Sequence, residues 1–144
     1  MLVRDVLRAK GHGAIYVRCD ATVKEALALF VPHKIGSLPV VNTQGQLVGI
    51  FTERDVLHKV YEDYENLPRR RVREVMTRDP VTCALGDSVQ EVMGQMSRHR
   101  VGQIPVLDGD ELVGIVTVGD LVTAMYEQVE AENQHLFEYV YGRA

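Results

Sequence analysis

The feature that most constrains the fold of this chain is an internal repeat. The phrase HKIGSLPVV at residues 33 to 41 returns as HRVGQIPVL at residues 99 to 107. Three further pairs of segments match in the same order: VRDVL at 3 to 7 with VREVM at 72 to 76, TVKEAL at 22 to 27 with SVQEVM at 88 to 93, and QLVGIFTERDVL at 46 to 57 with ELVGIVTVGDLV at 111 to 122. The offset between the copies drifts only from 69 to 65 residues, which indicates one ancestral unit used twice.

Both copies carry the same helix and strand signals. Thr22 with Glu25, and Ser88 with Glu91, have the spacing of capping boxes, so we expect a helix to begin after each hydroxyl residue. Apolar residues then recur at the spacing of one helix face: Val23, Ala26, Leu27 and Phe30 in the first copy, and Val89, Val92, Met93 and Met96 in the second. Two apolar runs joined by a turn predict a hairpin, and a further helix is expected from about Glu53 and from about Asp120.

These signals predict an α/β (α+β) fold. A three-stranded sheet with its helices is marginal by itself, so we expect the two copies to cover each other. The predicted architecture is two tandem βαββα-type repeats related by a pseudo-twofold axis, each a small sheet with helices, with a cleft between the sheets and an extended C-terminal helix. We place the first repeat at residues 1–66, the second at 67–127 and the helical extension at 128–144.

Composition narrows the class of protein. The chain has 144 residues, 46% of them hydrophobic, which is enough to bury a core. Its formal charge of -4 argues against a nucleic-acid or anionic-membrane binder. No apolar run approaches the roughly 20 residues that span a bilayer, and the first residues do not resemble a signal peptide. We therefore expect a cytoplasmic protein whose two cysteines, Cys19 and Cys83, are reduced, with a disulfide between them as the alternative.

Two segments lie outside the repeated core pattern. The connector DYENLPRRRVR, residues 63 to 73, is expected to be exposed, and its arginines either form a solvated face or bind a phosphate or an acidic partner. The last helix continues well beyond the second copy, with apolar residues at Leu121, Met125, Val129, Leu136 and Val140. This stripe indicates packing on another chain, or a helix that folds back over its own core.

Catalytic motifs are missing from the sequence. It has no GxSxG, HExxH, CxxC or Walker loop, and its five histidines, His12, His33, His58, His99 and His135, form no close metal-ligand set along the chain. We therefore predict no catalytic residue, no metal site and no enzymatic activity.

The matched sequences TERD at 52 to 55 and TVGD at 117 to 120 are the strongest binding signal. Each lies where an apolar strand ends and a helix begins, so its aspartate is either a simple helix cap or a carboxylate presented at a loop mouth. A carboxylate suits sugar hydroxyls, whereas a hydroxyl at a helix start suits phosphate. Gly36 with Pro39, and Gly102 with Pro105, either line a slot for a flat base or only shape the entry into a strand.

Together these motifs resemble a known family. G-S-L-P with T-E-R-D, and G-Q-I-P with T-V-G-D, look like the two halves of a CBS-domain pair, the regulatory module named after cystathionine β-synthase. The resemblance covers Val3 to about Tyr126. It implies a non-catalytic sensor that holds an adenine nucleotide (AMP, ADP, ATP, or sometimes NAD or S-adenosylmethionine) between the copies. It also implies a homodimer, face to face or antiparallel, that signals to an effector protein which the sequence does not identify.

The resemblance assigns roles to individual positions. Asp55 and Asp120 would bind ribose hydroxyls, Thr52 and Thr117 would face ribose or phosphate, and Arg54 would bind phosphate. The residues that would frame adenine are Tyr16, Val17, Gly36, Ser37, Leu38, Pro39, Val81, Thr82, Cys83, Gly102, Gln103, Ile104 and Pro105. The second copy has Gly119 where the first has Arg54, so we predict unequal sites, with the better one at TERD unless Arg98 or Arg100 compensates.

The basic pairs His33-Lys34 and His99-Arg100 either add phosphate contacts at the cleft mouth or complement a helix C-terminus. Two other function classes remain open. One is an enzyme acting on a nucleotide phosphate, and the other is a nucleotide-independent interaction or RNA-binding scaffold that uses the arginine connector.

Overall fold

The two copies fold into the same series of elements. The computed structural model describes residues 1–11 and 13–141, so His12 and the last three positions of the predicted helical extension lie outside the described residues. The first copy contains α1 (Val3–Lys10), β1 (Val17–Arg18), α2 (Val23–His33), β2 (Ser37–Val41), β3 (Leu47–Thr52) and α3 (Glu53–Asp63). The second contains α4 (Val72–Val75), β4 (Thr77–Arg78), β5 (Cys83–Ala84), α5 (Val89–His99), β6 (Gln103–Asp108), β7 (Glu111–Thr117) and α6 (Val118–Val140). The predicted mixed α/β fold is confirmed.

Each copy builds its own small sheet around a hairpin. The first sheet has the strand order β1-β2-β3-β4 and the second the order β5-β6-β7. β2 pairs antiparallel with β3 and parallel with β1, and β6 pairs in the same two ways with β7 and β5. β4 was not expected from the sequence. It pairs antiparallel with β3, so a strand from the second copy extends the sheet of the first.

The first helix of each copy packs in the core of the other copy. Val3 and Val6 of α1 are buried with Val89, Val92 and Ile104 of the second copy. Symmetrically, Val72 and Val75 of α4 are buried in the core of the first copy. Backbone hydrogen bonds fix both exchanges, since Val3 N donates to Asp87 O at 2.9 Å and Val72 N donates to Ala21 O at 2.8 Å. The two cores are therefore interdependent.

Two glycines allow the exchanged segments to approach the hairpins. A β-carbon at Gly114 in β7 would lie 2.8 Å from Leu7 Cδ2, and one at Gly49 in β3 would lie 2.5 Å from Met76 Sδ and 2.8 Å from Thr77 O. Real β-carbons do not make such contacts, so a side chain at Gly114 would have to displace Leu7, and one at Gly49 would also meet the backbone of Thr77. The two positions are equivalent in the repeat.

Only one of the two hydrogen bonds of each predicted capping box, at Thr22 and at Ser88, is present. Each hydroxyl accepts the predicted amide hydrogen bond, from Glu25 N at 3.2 Å and from Glu91 N at 3.1 Å. Both helices therefore begin where the sequence indicates. The reciprocal carboxylate bond instead occurs at Thr52 and Thr117, which begin α3 and α6.

The connector is less exposed than the sequence suggested. Leu67 begins a short 3-10 turn and is buried in the first core, because its side chain is apolar and the chain must return there to place α4. Arg70 binds Asp63 and Glu74 at 3.1 and 3.0 Å, and Arg71 donates to the carbonyl of Asp20 at 3.0 Å. Arg69 donates to Asn66 Oδ1 at 2.8 Å, so intrachain partners occupy at least three of the four connector arginines.

The C-terminal helix is only partly covered by the rest of the chain. Leu121 and Ala124 are buried in the second core, whereas Val129, Leu136 and Val140 are more than half exposed. The helix therefore packs over its own core as far as Met125, and the apolar residues at 129, 136 and 140 do not fold back over that core. None of the helices in residues 1–11 and 13–141 is long and apolar enough to cross a membrane.

Candidate functional site: two cavities between the copies

Two cavities open where the copies meet, and Gly36 and Gln103 line both of them. The Lys10 cavity, of about 340 Å³, lies between Lys10, Thr117 and Asp120 on one side and residues 33–37 on the other. The Arg54 cavity, of about 450 Å³, lies between residues 52–55 and residues 101–103. The pseudo-twofold axis relates the two, since each contains the start of the helix that follows a hairpin.

In the Arg54 cavity, hydrogen bonds hold the carboxylate of Asp55. Its Oδ2 accepts from Thr52 N at 3.0 Å, and its Oδ1 accepts from Thr77 Oγ1 at 3.1 Å. Thr52 Oγ1 in turn accepts from Asp55 N at 3.2 Å. Asp55 is therefore a helix cap, yet each carboxylate oxygen has two lone pairs and can still accept from a ligand hydroxyl.

In the Lys10 cavity, the same cap carries an added cation. Asp120 Oδ2 accepts from Thr117 N at 3.0 Å and from Lys10 Nζ at 2.8 Å. Lys10 Nζ also donates to Ile115 O at 3.0 Å. Burial raises the pKa of Asp120, but the hydrogen bonds from Lys10 and Thr117 outweigh it and hold the pKa of this carboxyl below its usual value.

The glycines of the repeated phrase take part in the helix starts. Gly36 O accepts from Glu53 N and Gly102 O accepts from Val118 N, both at 3.0 Å. A β-carbon at Gly36 would lie 3.3 Å from Glu53 Cδ, so the strand entry and the helix start are closely packed. Strand-entry geometry is thus one role of this phrase, and the same residues border the cavities.

The structure brings part of the predicted site set together. The Lys10 cavity contains Gly36, Ser37, Gln103, Thr117 and Asp120, and the Arg54 cavity contains Gly36, Thr52, Arg54, Asp55, Gly102 and Gln103. The linings of these two cavities do not include Tyr16, Val17, Leu38, Pro39, Val81, Thr82, Cys83, His99, Arg100, Ile104 or Pro105. Several of these side chains are buried in the cores, so an adenine contact through their backbone stays a prediction.

Sequence reasoning missed Lys10, Glu53 and Thr77 as cavity residues. Lys10 contacts Asp120 across 110 positions of the chain, and no local pattern in the sequence marks such a pair. Of the basic pairs, His33 and Lys34 line the Lys10 cavity. Gly119 stands where the first copy has Arg54, and Arg98 and Arg100 do not replace that cation, because they line neither cavity.

Cysteine chemistry and metal binding have little support in the described residues. Cys19 and Cys83 are both free, so the alternative of a disulfide between them is wrong. Burial, with a smaller effect of Asp87, raises the pKa of Cys83 to about 12. Residues 1–11 and 13–141 contain no group of three or more histidine, cysteine, aspartate or glutamate side chains that could hold a metal ion.

Comparison with known proteins decides the family. A family model of the CBS domain matches the chain twice, at residues 3–62 and 72–127, and the two matches correspond to the two copies. This chain belongs to the CBS-domain family. The CBS domain-containing protein CBSX3, mitochondrial, of Arabidopsis thaliana is 31% identical to this CBS pair, over 97% of the pair and 72% of that protein.

Longer proteins also match, in their CBS segments. The inosine-5'-monophosphate dehydrogenase of Methanocaldococcus jannaschii is 39% identical over 110 residues, which are 75% of this CBS pair but only 21% of the dehydrogenase. The CBS pair thus spans about a fifth of that relative's length. The other 79% of the dehydrogenase lies outside this alignment.

Solved structures agree with the fold, and some contain adenosine compounds. A CBS-domain containing protein from Agrobacterium tumefaciens superposes with a TM-score of 0.81 at 32% identity, over 86% of this chain and 92% of that one. The CBS domain pair of protein MJ0100, solved with 5'-methylthioadenosine and S-adenosyl-L-methionine, gives 0.79 at 29% identity over 89% and 98%. CBSX2, solved with AMP, gives 0.69 at 25% identity over 79% and 88%.

Proposed function

We propose that this CBS pair is a regulatory module that binds an adenine nucleotide, such as AMP, ADP, ATP or NAD, in the cavities between its two copies. Occupancy then changes the relative position of the copies or of a dimer, and an effector protein recognises the change. The observation that carries this proposal is the pair of threonine and aspartate caps, Thr52 with Asp55 and Thr117 with Asp120, each at the border of a cavity.

The chemistry of these caps suits a nucleoside. A carboxylate held by backbone and side-chain donors keeps acceptor capacity for the vicinal hydroxyls of ribose. Nearby cations, Arg54 in one cavity and Lys10 with Lys34 in the other, suit phosphate oxygens. The adenosine compounds in the structures of MJ0100 and CBSX2 support the same ligand class, since adenosine is the part that those ligands share.

The test is thermal unfolding with AMP, ADP, ATP, NAD and S-adenosylmethionine added separately. A ligand at a hundred times its dissociation constant adds about 2.7 kcal/mol of apparent stability. The informative variants are Asp55→Asn and Asp120→Asn, because asparagine keeps an acceptor for the capping amide but removes the charge. We expect each variant to lose part of the ligand-induced shift.

The matched control is Asp110→Asn, which removes the same charge from the exposed hairpin turn, away from both cavities. This variant should shift as the wild type does. The proposal fails if no adenosine compound raises the unfolding temperature, or if the two cap variants respond as strongly as the control. In that event the arginine connector becomes the next binding surface to test with RNA.

We also propose that the protein forms a homodimer through the exposed part of α6. Leu136 is 61% exposed and Phe137 is 50% exposed, and such contiguous apolar surface is unfavourable in water. Sedimentation of the wild type and of Leu136→Glu tests this point, with a monomeric variant as the expected result. A wild type that sediments as a monomer would refute the dimer.

We propose that the module does not turn over its ligand. Beside the threonine and aspartate caps, the titratable residues of the cavities are Lys10, Lys34, His33, Arg54 and Glu53, and no cysteine is among the described residues that line them. Incubation of ATP and NAD with the pure protein, followed by chromatography, should return the nucleotides unchanged.

The cytoplasmic location stays a prediction, which fractionation of cells would test.

A further inference from the structure

The two cavities differ in the charge of their linings. Apart from His33, the titratable side chains of the Lys10 cavity are Lys10, Lys34 and Asp120, two cations and one anion. Those of the Arg54 cavity are Arg54, Glu53 and Asp55, one cation and two anions. Because like charges repel in a partly closed cleft, the Lys10 cavity is the more favourable place for a phosphate group.

The ammonium group of Lys10 is fixed in position at this cavity. Asp120 Oδ2 and Ile115 O lie 2.8 and 3.0 Å from Nζ, and the Lys10 side chain is only 20% exposed. Among the described residues, these two acceptors engage two of the three hydrogens of the ammonium, so a third is available to a ligand oxygen. A cation that is already ordered loses little conformational entropy when it binds an anion.

In the Arg54 cavity, no lysine or arginine among the described residues bonds to the cap aspartate. There the carboxylate of Asp55 accepts from the neutral hydroxyl of Thr77 at 3.1 Å, where Asp120 accepts from Lys10. Arg54 itself is an exposed residue at the start of α3. The copies therefore share the aspartate but differ in the group that it holds.

We propose that Lys10 is a specificity-determining residue that makes the Lys10 cavity select nucleoside 5'-phosphates over uncharged nucleosides. The inference rests on the proposed function, because it assumes that adenosine compounds bind in these cavities. The sequence predicted the better site at TERD, and for phosphorylated ligands this inference places it at the Lys10 cavity instead. The Arg54 cavity, with its excess of carboxylates, does not make this selection.

The experiment compares AMP with adenosine by isothermal titration. The proteins are the wild type, Lys10→Met, Lys10→Gln and Lys10→Arg, each checked for folding by circular dichroism. A charge-assisted hydrogen bond contributes roughly 10- to 100-fold in affinity. We expect Lys10→Met to lose about this factor for AMP and to keep its adenosine affinity within about threefold.

Two further variants sharpen the result. Lys10→Arg retains the charge and should retain most of the preference for AMP, whereas Lys10→Gln can still bond to Asp120 but should lose the preference. If Lys10→Met does not fold, the glutamine variant carries the same comparison. Lys24→Met removes a lysine from an exposed position that lines neither cavity, so it controls for net charge and should behave as the wild type does.

The possible failures can be told apart. If the wild type binds AMP and adenosine but the Lys10 variants change both affinities equally, or neither, the inference is wrong and the proposed function stands. Tighter AMP binding by Lys10→Met would mean that the lysine blocks the site, which also overturns the inference. If the wild type binds neither compound, the proposed function and the inference fail together.

Discussion

The contact between Gly114 and Leu7 provides a quantitative test of the exchanged-helix packing. In Gly114→Ala the new β-carbon would lie 2.8 and 2.9 Å from the two methyl carbons of Leu7. These distances are about 0.6–1.2 Å below the roughly 3.5–4.0 Å optimum for carbon atoms. Overpacking of this kind costs about 1–3 kcal/mol. We therefore expect Gly114→Ala to lose about that much of its free energy of unfolding.

A double-mutant cycle identifies the cause of the loss. Leu7→Ala removes the methyl groups that the new β-carbon would meet, and since Leu7 is only partly buried we expect it to cost about 2 kcal/mol. In the Leu7→Ala background, Gly114→Ala should cost almost nothing further, so the two changes should show a large favourable coupling. Urea unfolding followed by circular dichroism measures all four proteins.

The matched control is Gly119→Ala, five residues after Gly114 and inside α6. Its β-carbon would meet Thr117 Oγ1 at 3.6 Å, an ordinary contact, and alanine is the better helix former by up to about 1 kcal/mol. This variant should be as stable as the wild type or more so. An unchanged Gly114→Ala, or a double variant that loses the sum of both single costs, would refute the reasoning.

Three further results are expected. Ser88→Ala removes the cap of α5 and should cost about 1 kcal/mol in urea unfolding, and a loss below a few tenths would contradict the assigned cap. A thiol reagent at pH 8 should label Cys19 in the folded protein and spare Cys83 until urea is added, because burial keeps the Cys83 thiol protonated; equal labelling rates would be inconsistent with this burial. The folded-state pKa of Asp120 is depressed, so its ionised form stabilises the protein above the unfolded-state pKa, and that contribution disappears as pH falls through the folded-state pKa. The stability difference between wild type and Asp120→Asn should therefore be largest above about pH 5 and should shrink below about pH 4, whereas a difference independent of pH would exclude an ionic role for the carboxylate.

Local sequence signals were sufficient for most of the elements. The hydroxyl residues Thr22 and Ser88 mark the starts of α2 and α5, and the apolar spacing after each of them identifies the buried face. The TERD and TVGD sequences correctly indicated strand ends that become helix starts. These features depend on residues within one or two helical turns of each other, so they can be predicted from the sequence alone.

Features that depend on distant residues could not be obtained in this way. The periodicity of α1 indicates that Val3 and Val6 are buried, but not that the other copy buries them. Lys34 and Arg100 have matching places in the repeat and the same left-handed backbone, with φ of 54° in both, yet Lys34 lines the Lys10 cavity whereas Arg100 lines neither cavity. The pairing of Lys10 with Asp120 is a product of the tertiary fold alone.

The exchange of α1 and α4 has a consequence for a chain cut to one copy. Such a half would contain the helix that its missing neighbour needs, and it would lack the helix that its own core needs. Two identical halves could restore both cores only by trading these helices, as domain-swapped dimers do. The repeat is in this sense a swapped dimer whose two subunits have been joined covalently, and because the partner is always attached, its assembly does not depend on protein concentration.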